Sequence, residues 1–265
     1  MVDRHRWQQT RVWVIGGSTG IGREIVELLG AAGSIIAVSA RNPQLLDQMV
    51  ANAKSTGQAI HVYPLDVTDS RACVEVSAHV TTDFDYLDYV IYCPGAWSPI
   101  AIDPLDAVQV AKQMDVNFLG FVRIVSAVLP KMIERNGGTI VGTSSASAYF
   151  PLPTAEGYGA SKAAMNYFIR SLRFDLRARA IRVVSAIPGF VETPLTRQNE
   201  FHMPFIMTAS NAARIIIRGL EQRKTEIDFP IRLTWPMRLL GSLPQTIQAR
   251  IIGKLFRAKD RDFNG

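Results

Sequence analysis

Six short apolar runs punctuate the first two-thirds of the chain. They are "VWVIG" (12–16), "SIIAVSA" (34–40), "AIHVYPL" (59–65), "LDYVIYC" (87–93), "GTIVGTS" (138–144) and "IRVVSAI" (181–187), all rich in valine, isoleucine or both. Most lack strict alternation of apolar and polar residues, as strands do when both faces of their sheet are covered. Longer stretches with helical periodicity separate them, for example "GIGREIVELLGAAG" and "NPQLLDQMVANAKSTG". This alternation predicts an α/β fold with a doubly wound parallel sheet, three layers and right-handed crossovers. A further helix and a seventh strand, "EIDF", carry the pattern to residue 229. Residues 1–229 therefore read as one domain.

Beyond it the pattern changes. "PIRLTWPMRLLGSLPQTIQARIIGKLFRAK" sets Leu243, Ile247, Ile251, Leu255 and Phe256 at helical spacing, with Arg250, Lys254, Arg257 and Lys259 among them. Residues 230–265 are expected to form a basic amphipathic extension packed on the same domain. Three placements are open for its apolar face: an anionic membrane surface, another subunit, or the mouth of a substrate site.

Composition narrows the class. Of 265 residues, 48% are apolar and 20% charged, so a large core is expected and global disorder is not. No uninterrupted apolar run approaches the about 18 residues of a membrane span. The opening "MVDRHRWQQTR" lacks an apolar signal region. Cys73 and Cys93 fit no metal or CxxC spacing and read as reduced thiols of a cytoplasmic protein. His5, His61, His79 and His202 are scattered, so no metal site is expected. The net charge of +6 is uneven: residues 1–195 hold 17 basic and 17 acidic residues, and residues 196–265 hold 12 and 6. No basic stripe with interleaved aromatics occurs in the first 195, so nucleic acid is not an expected partner.

Candidate chemistry starts after the first strand, in "GGSTGIG". Gly16, Gly20 and Gly22 allow a tight turn and a close approach to a pyrophosphate, and the next helix offers free N–H groups. The second strand ends "VSARN", with no acid between residues 36 and 46 to grip a ribose 2′-hydroxyl. Arg41 stands there instead and suits a 2′-phosphate, so NADP(H) is expected over NAD(H). Asp66 has two readings: acceptor for an adenine amino group, or a turn residue beside Thr68 and Asp69. Further on, "EGYGASKAAMN" puts Tyr158 and Lys162 four apart on one helix face.

Taken in order, "GGSTGIG", "LDVTD", "MDVNFLG", "GTIVGTSSAS", "YGASK" and "PGFVET" make the chain resemble a single-domain short-chain dehydrogenase/reductase over residues 11 to about 195. The resemblance implies a Rossmann-like fold, a homodimer or homotetramer, and catalytic roles for Asn117, Ser145, Tyr158 and Lys162. Tyr158 would be general acid or base, and Lys162 would lower its pKa and hold the ribose hydroxyls. Ser145 would orient the carbonyl, and Asn117 would anchor a relay water. Hydride transfer to a carbonyl needs such a set, because the alkoxide formed must be protonated and free tyrosine, with a pKa of about 10, is a poor partner near neutrality. The resemblance also implies cofactor contacts in the first loop at Ser18, Thr19 and Ile21 besides the glycines. It adds Val67, Pro94 and Gly95, then Pro188, Gly189, Val191 and Thr193 after the sixth strand.

The family pattern is broken in places. Ile15, Gly17 and Thr19 replace the usual residues of the first loop, and Tyr92-Cys93-Pro94-Gly95 replaces an Asn-Asn-Ala-Gly turn. Pro94 removes a backbone donor there. Trp97, Tyr149, Phe150, Phe201, Met203, Phe205, Ile206 and Met207 are candidates for an apolar pocket, core packing being the other reading. The expected activity is NADP(H)-dependent exchange of hydride with a carbonyl or secondary alcohol of an apolar substrate. A double-bond reductase and a non-catalytic nucleotide-binding or membrane scaffold protein are the alternatives.

Overall fold

The computed structural model describes residues 2–199 and 201–262, with side chains through residue 253. A short helix α1 (Arg4–Trp7) leads into β1 (Arg11–Ile15), α2 (Gly20–Ala31), β2 (Ile35–Ala40), α3 (Pro43–Thr56), β3 (Ala59–Pro64), α4 (Ser70–Phe84) and β4 (Tyr89–Tyr92). There follow α5 (Ala107–Met114), a π turn (Asp115–Leu119), α6 (Gly120–Arg135), β5 (Gly138–Thr143), a 3-10 turn (Ala146–Ala148), α7 (Glu156–Asp175) and β6 (Ile181–Pro188). The chain continues with β7 (Val191–Glu192), β8 (Met207–Thr208), α8 (Ala209–Glu221), β9 (Glu226–Phe229), α9 (Ile231–Gly241) and α10 (Gln245–Asp262).

Seven parallel strands form one sheet in the order β3-β2-β1-β4-β5-β6-β9. The pleat explains why the strand runs are apolar on both sides. Val12 and Val14 of β1 point to one face and pack with Ile36, Val38, α2, α3 and α8. Trp13 and Ile15 point to the other and pack with Val90, Tyr92, α4, α6 and α7. The Trp13 indole, fully buried, donates to Ser39 Oγ at 3.0 Å. Of the seven strands, only β3, at the sheet edge, has no fully buried residue.

Local signals set the helix ends. Asn42 accepts from Leu45 N with Pro43 in the first turn, and Gly57 closes α3 in the left-handed region. Residues 107–135 form a helical run long and apolar enough to cross a bilayer by length and composition. Its Phe121, Ile124, Val125, Val128 and Met132 instead fill the second core. The strand order reverses between β1 and β4, and the carboxyl ends of both strands open onto one cleft.

At the carboxyl end, α9 packs against β9 and the 146–148 turn. Arg238 of α9 reaches Glu226 and Asp228 of β9 at 3.4 and 3.7 Å, and Arg170 of α7 meets Glu226 at 3.0 Å. The extension is two helices: a turn at 242–244 separates α9 from α10, the expected positions Ile247 and Ile251 fall in α10, and Leu243 lies in the turn. The side chains of Lys254, Leu255, Phe256, Arg257 and Lys259 lie outside the described residues.

Candidate active site

A cleft of about 420 Å³ lies beyond the carboxyl ends of the central strands. Gly16 leaves β1 at φ +75°, and a Cβ there would stand 2.8 Å from Pro94 N. A Cβ on Gly22 would run into the Gly16 carbonyl oxygen. The loop therefore hugs the neighbouring turn and leaves a backbone cradle. Thr19 caps α2 without a side-chain bond, so the helix's first N–H groups face the cleft unpartnered by a cap.

Ser18, Thr19, Gly20, Ile21 and Gly22 all line this cleft. So do Arg41, Asp66 and Val67, then Pro94 and Gly95, then Pro188, Gly189, Val191 and Thr193, with Tyr158 and Lys162 at its end. Sequence reasoning missed Cys93, Thr143, Leu195 and Gln198, which line it too. Arg41 follows β2 directly and is exposed. Asp66 makes turn bonds while it lines the cleft: one carboxylate oxygen accepts from Thr68 N at 2.9 Å and from Thr68 Oγ1 at 2.8 Å. Its partial burial favours the neutral acid, but the two Thr68 bonds and nearby Arg41 hold its pKa below the ordinary value.

The altered turn after β4 carries its own ties. Tyr92, buried on the sheet, donates to Val116 O, and Cys93 Sγ stands 3.5 Å from Thr143 Oγ1 on β5. These bonds tie the end of β4 to the π turn and to β5. Asn117 is not among the residues that line the cleft. It is fully buried and lies behind the cleft wall, its Oδ1 accepting from Ala96 N at 2.7 Å. Its Nδ2 donates to Ala96 O and Ser161 Oγ, both at 2.9 Å. Both amide hydrogens are used, so the side chain links the 95–97 turn to α7.

Tyr158 and Lys162 occupy the first turns of α7, as their spacing predicts. Lys162, 3% exposed, donates to Thr143 O at 2.8 Å. Burial pulls its pKa from 10.5 down to about 8 against a small opposing pull from Cys93. The expected lowering of the Tyr158 pKa is reversed here. Burial raises it, and the Ser145 hydroxyl works in the other direction. The reason is geometric: the Lys162 nitrogen is 5.7 Å from the phenol ring centre and aimed at a strand carbonyl. Ser145 Oγ accepts from Ser147 N and Ser147 Oγ, at 3.2 and 2.9 Å, which leaves its own proton to donate elsewhere.

Residues 10–203 match the family model for short chain dehydrogenase. The chain belongs to the short-chain dehydrogenase family. It is 33% identical over 234 residues to an uncharacterised oxidoreductase of Myxococcus xanthus, covering 88% of this chain and 92% of that one. It is 28% identical over 243 residues to the 11-beta-hydroxysteroid dehydrogenase-like 3 protein of Arabidopsis thaliana, covering 89% and 78%. A single-substitution variant of actinorhodin polyketide ketoreductase, solved with NADPH, shares the fold at a TM-score of 0.75 and 22% identity, over 85% of this chain and 96% of that one. This dehydrogenase-family member is accordingly an oxidoreductase with the nucleotide-binding fold of that family.

A second cavity, about 90 Å³, adjoins the cleft of this family member at Tyr158. Trp97, Phe190, Phe201 and Leu195 line it with Ser145. Leu233 and Met237 of α9 close one side, which no motif announced. The Trp97 ring meets the Tyr158 ring edge-to-face at 5.3 Å, and its indole donates to Asn199 Oδ1 at 2.7 Å. Of the expected pocket residues, Trp97 and Phe201 are present. Tyr149 is turned to Asp228, to which its hydroxyl donates at 2.8 Å, and Phe150 is buried elsewhere. Met207 pairs with Val191 in the β7–β8 ribbon, Met203 Sδ accepts from Asn199, and Phe205 and Ile206 face outward.

Proposed function

We propose that the protein is an NADP(H)-dependent carbonyl reductase, or alcohol dehydrogenase in reverse, acting on a lipophilic substrate. One observation carries the reading: Tyr158 stands where the cleft beyond the strand ends meets an apolar cavity, with Lys162 lining the first and Ser145 the second. The nicotinamide, when bound, supplies or accepts the hydride.

The chain's residues divide the rest of the work. The glycine cradle and the start of α2 suit a pyrophosphate, and Arg41 suits a 2′-phosphate in the absence of a competing acid. Ser145 donates a hydrogen bond to the carbonyl oxygen where negative charge develops. Tyr158 passes its phenolic proton to that oxygen in reduction and takes it back in oxidation. Lys162 presents its ammonium to ribose hydroxyls and, once charge builds on the phenol oxygen, favours that charge. Asn117 holds the turn and α7 in register and is a positioning residue.

Trp97, Phe190, Phe201, Leu233 and Met237 make the cavity mostly apolar, with Ser145, Ser147, Tyr158, Thr196 and Asn199 as its polar residues, which favours an apolar group beside the carbonyl. Val108, Tyr167 and Phe174, apolar and exposed on α5 and α7, support the expected homo-oligomer, and the reduced cysteines a cytoplasmic setting. A panel of aldehydes and ketones of rising chain length, assayed by loss of NADPH absorbance, tests the reading. Turnover that rises with chain length supports it, and no turnover of any carbonyl in either direction refutes it.

A further inference from the structure

We propose that α9 seats the enzyme on an anionic lipid surface, so that apolar substrates enter the Trp97–Phe201 cavity from that surface. The docking half stands alone, whereas the substrate half rests on the lipophilic-carbonyl reading.

The helix has two unlike faces. On one, Leu233 and Met237 line the substrate cavity, and Thr234 is 1% exposed. On the other, Ile231, Trp235 and Leu239 follow one another at four-residue spacing, 64%, 65% and 61% exposed. Residues four apart stack along one side of a helix, so the three form a continuous apolar stripe. Arg232 and Arg238 flank it. Arg238 is held by Glu226 and Asp228, while Arg232 makes no ion pair among the described residues. Ile247, early in α10, is also exposed.

Charge selects the occupant. Residues 230–265 hold seven Lys or Arg against two Asp or Glu, net +5 of the chain's +6. A second copy would bring the same positive segment against this one. An anionic bilayer complements it, and tryptophan with isoleucine and leucine suits the boundary between headgroups and acyl chains. A helix lying in that plane would present its stripe to lipid and keep Leu233 and Met237 on the cavity. The cavity wall and the docking face are then one helix thick.

The test uses the full chain with vesicles of phosphatidylcholine alone, or mixed with phosphatidylglycerol in equal parts. The enzyme should sediment with the mixed vesicles at low salt and release at high salt. Trp235→Ser/Leu239→Ser should lower the bound fraction about tenfold, leave turnover of a short water-soluble aldehyde unchanged, and erase any rate advantage for a long-chain aldehyde held in the mixed vesicles. Three results would overturn docking: no sedimentation at any salt, undiminished sedimentation of the double variant, or a wild-type oligomer that the double variant dissociates. Sedimentation with no turnover of any long-chain carbonyl would sink the substrate half alone.

Discussion

Replacing Lys162 by methionine should abolish turnover and yet make the protein more stable at neutral pH. Methionine keeps the length and the apolar stem and removes the charge. The ammonium is almost fully buried, and burial lowers its pKa from 10.5 to about 8. That displacement means the folded state holds the charge at a cost of about 3 kcal/mol relative to the unfolded chain. Loss of the charge-assisted 2.8 Å bond to Thr143 O takes back about 1.5–3 kcal/mol, leaving a net gain of up to about 1.5 kcal/mol. The sign fixes the pH window. Below pH 8 the lysine is charged in both states and the whole penalty is present. Between pH 8 and 10.5 the folded state sheds its proton first, the unfolded state binds more protons, and wild-type stability rises. Above 10.5 the penalty is gone. Urea unfolding of both proteins at pH 7 and at about pH 10 reads the difference. A methionine variant that is less stable at pH 7, or a stability gap that fails to close toward pH 10, would refute this account of Lys162.

Tyr158→Phe should lower turnover about 100- to 10,000-fold while cofactor affinity, read by fluorescence titration, stays nearly unchanged; substantial residual rate would remove the phenol as proton donor. Arg41→Ala should weaken NADPH binding about tenfold or more, one charge-assisted contact being worth about 1.5–3 kcal/mol, and leave NADH binding alone. Equal affinities of the parent enzyme for both cofactors would count against the 2′-phosphate role. Gly22→Ala puts a methyl into the Gly16 carbonyl and should weaken both cofactors by about 1–3 kcal/mol; calorimetric titration showing no change would mean the cradle does not hold the pyrophosphate.

Much of the fold was readable because the strands carry their own signal. A strand covered on both faces must be apolar at successive positions, and the six runs did not need to know their partners. Each strand of the seven-stranded sheet falls within two residues of its expected limits, β2 over 35–40 against 34–40 and β5 over 138–143 against 138–144, whereas the short β7 and β8 were not expected. The carboxyl end was less legible. Its expected apolar positions began at Leu243, which lies in the turn at 242–244, and the helix α9 before that turn was not separated from the one after it. Periodicity counts residues on a face and cannot say where a chain turns a corner.

The site divides along the same line. Groups placed by backbone conformation were visible as types: glycines where a Cβ has no room, a tyrosine and lysine four apart on a helix, an arginine at a strand end. Groups placed by packing between distant segments were not. Leu233 and Met237 reach the cavity beside Tyr158 from α9, which Arg238 ties to β9 and which packs on the 146–148 turn. Phe201 enters while Phe205, four residues on, faces outward, because Met207 is drawn into a ribbon with Val191. The Tyr158 pKa failed for a related reason. Spacing on a helix puts an ammonium near a phenol, but the strand carbonyl of Thr143 decides where that ammonium points, and burial decides which way both groups shift. Spacing within one helix therefore identifies the chemical groups of this site, and contacts between helix and sheet set their protonation.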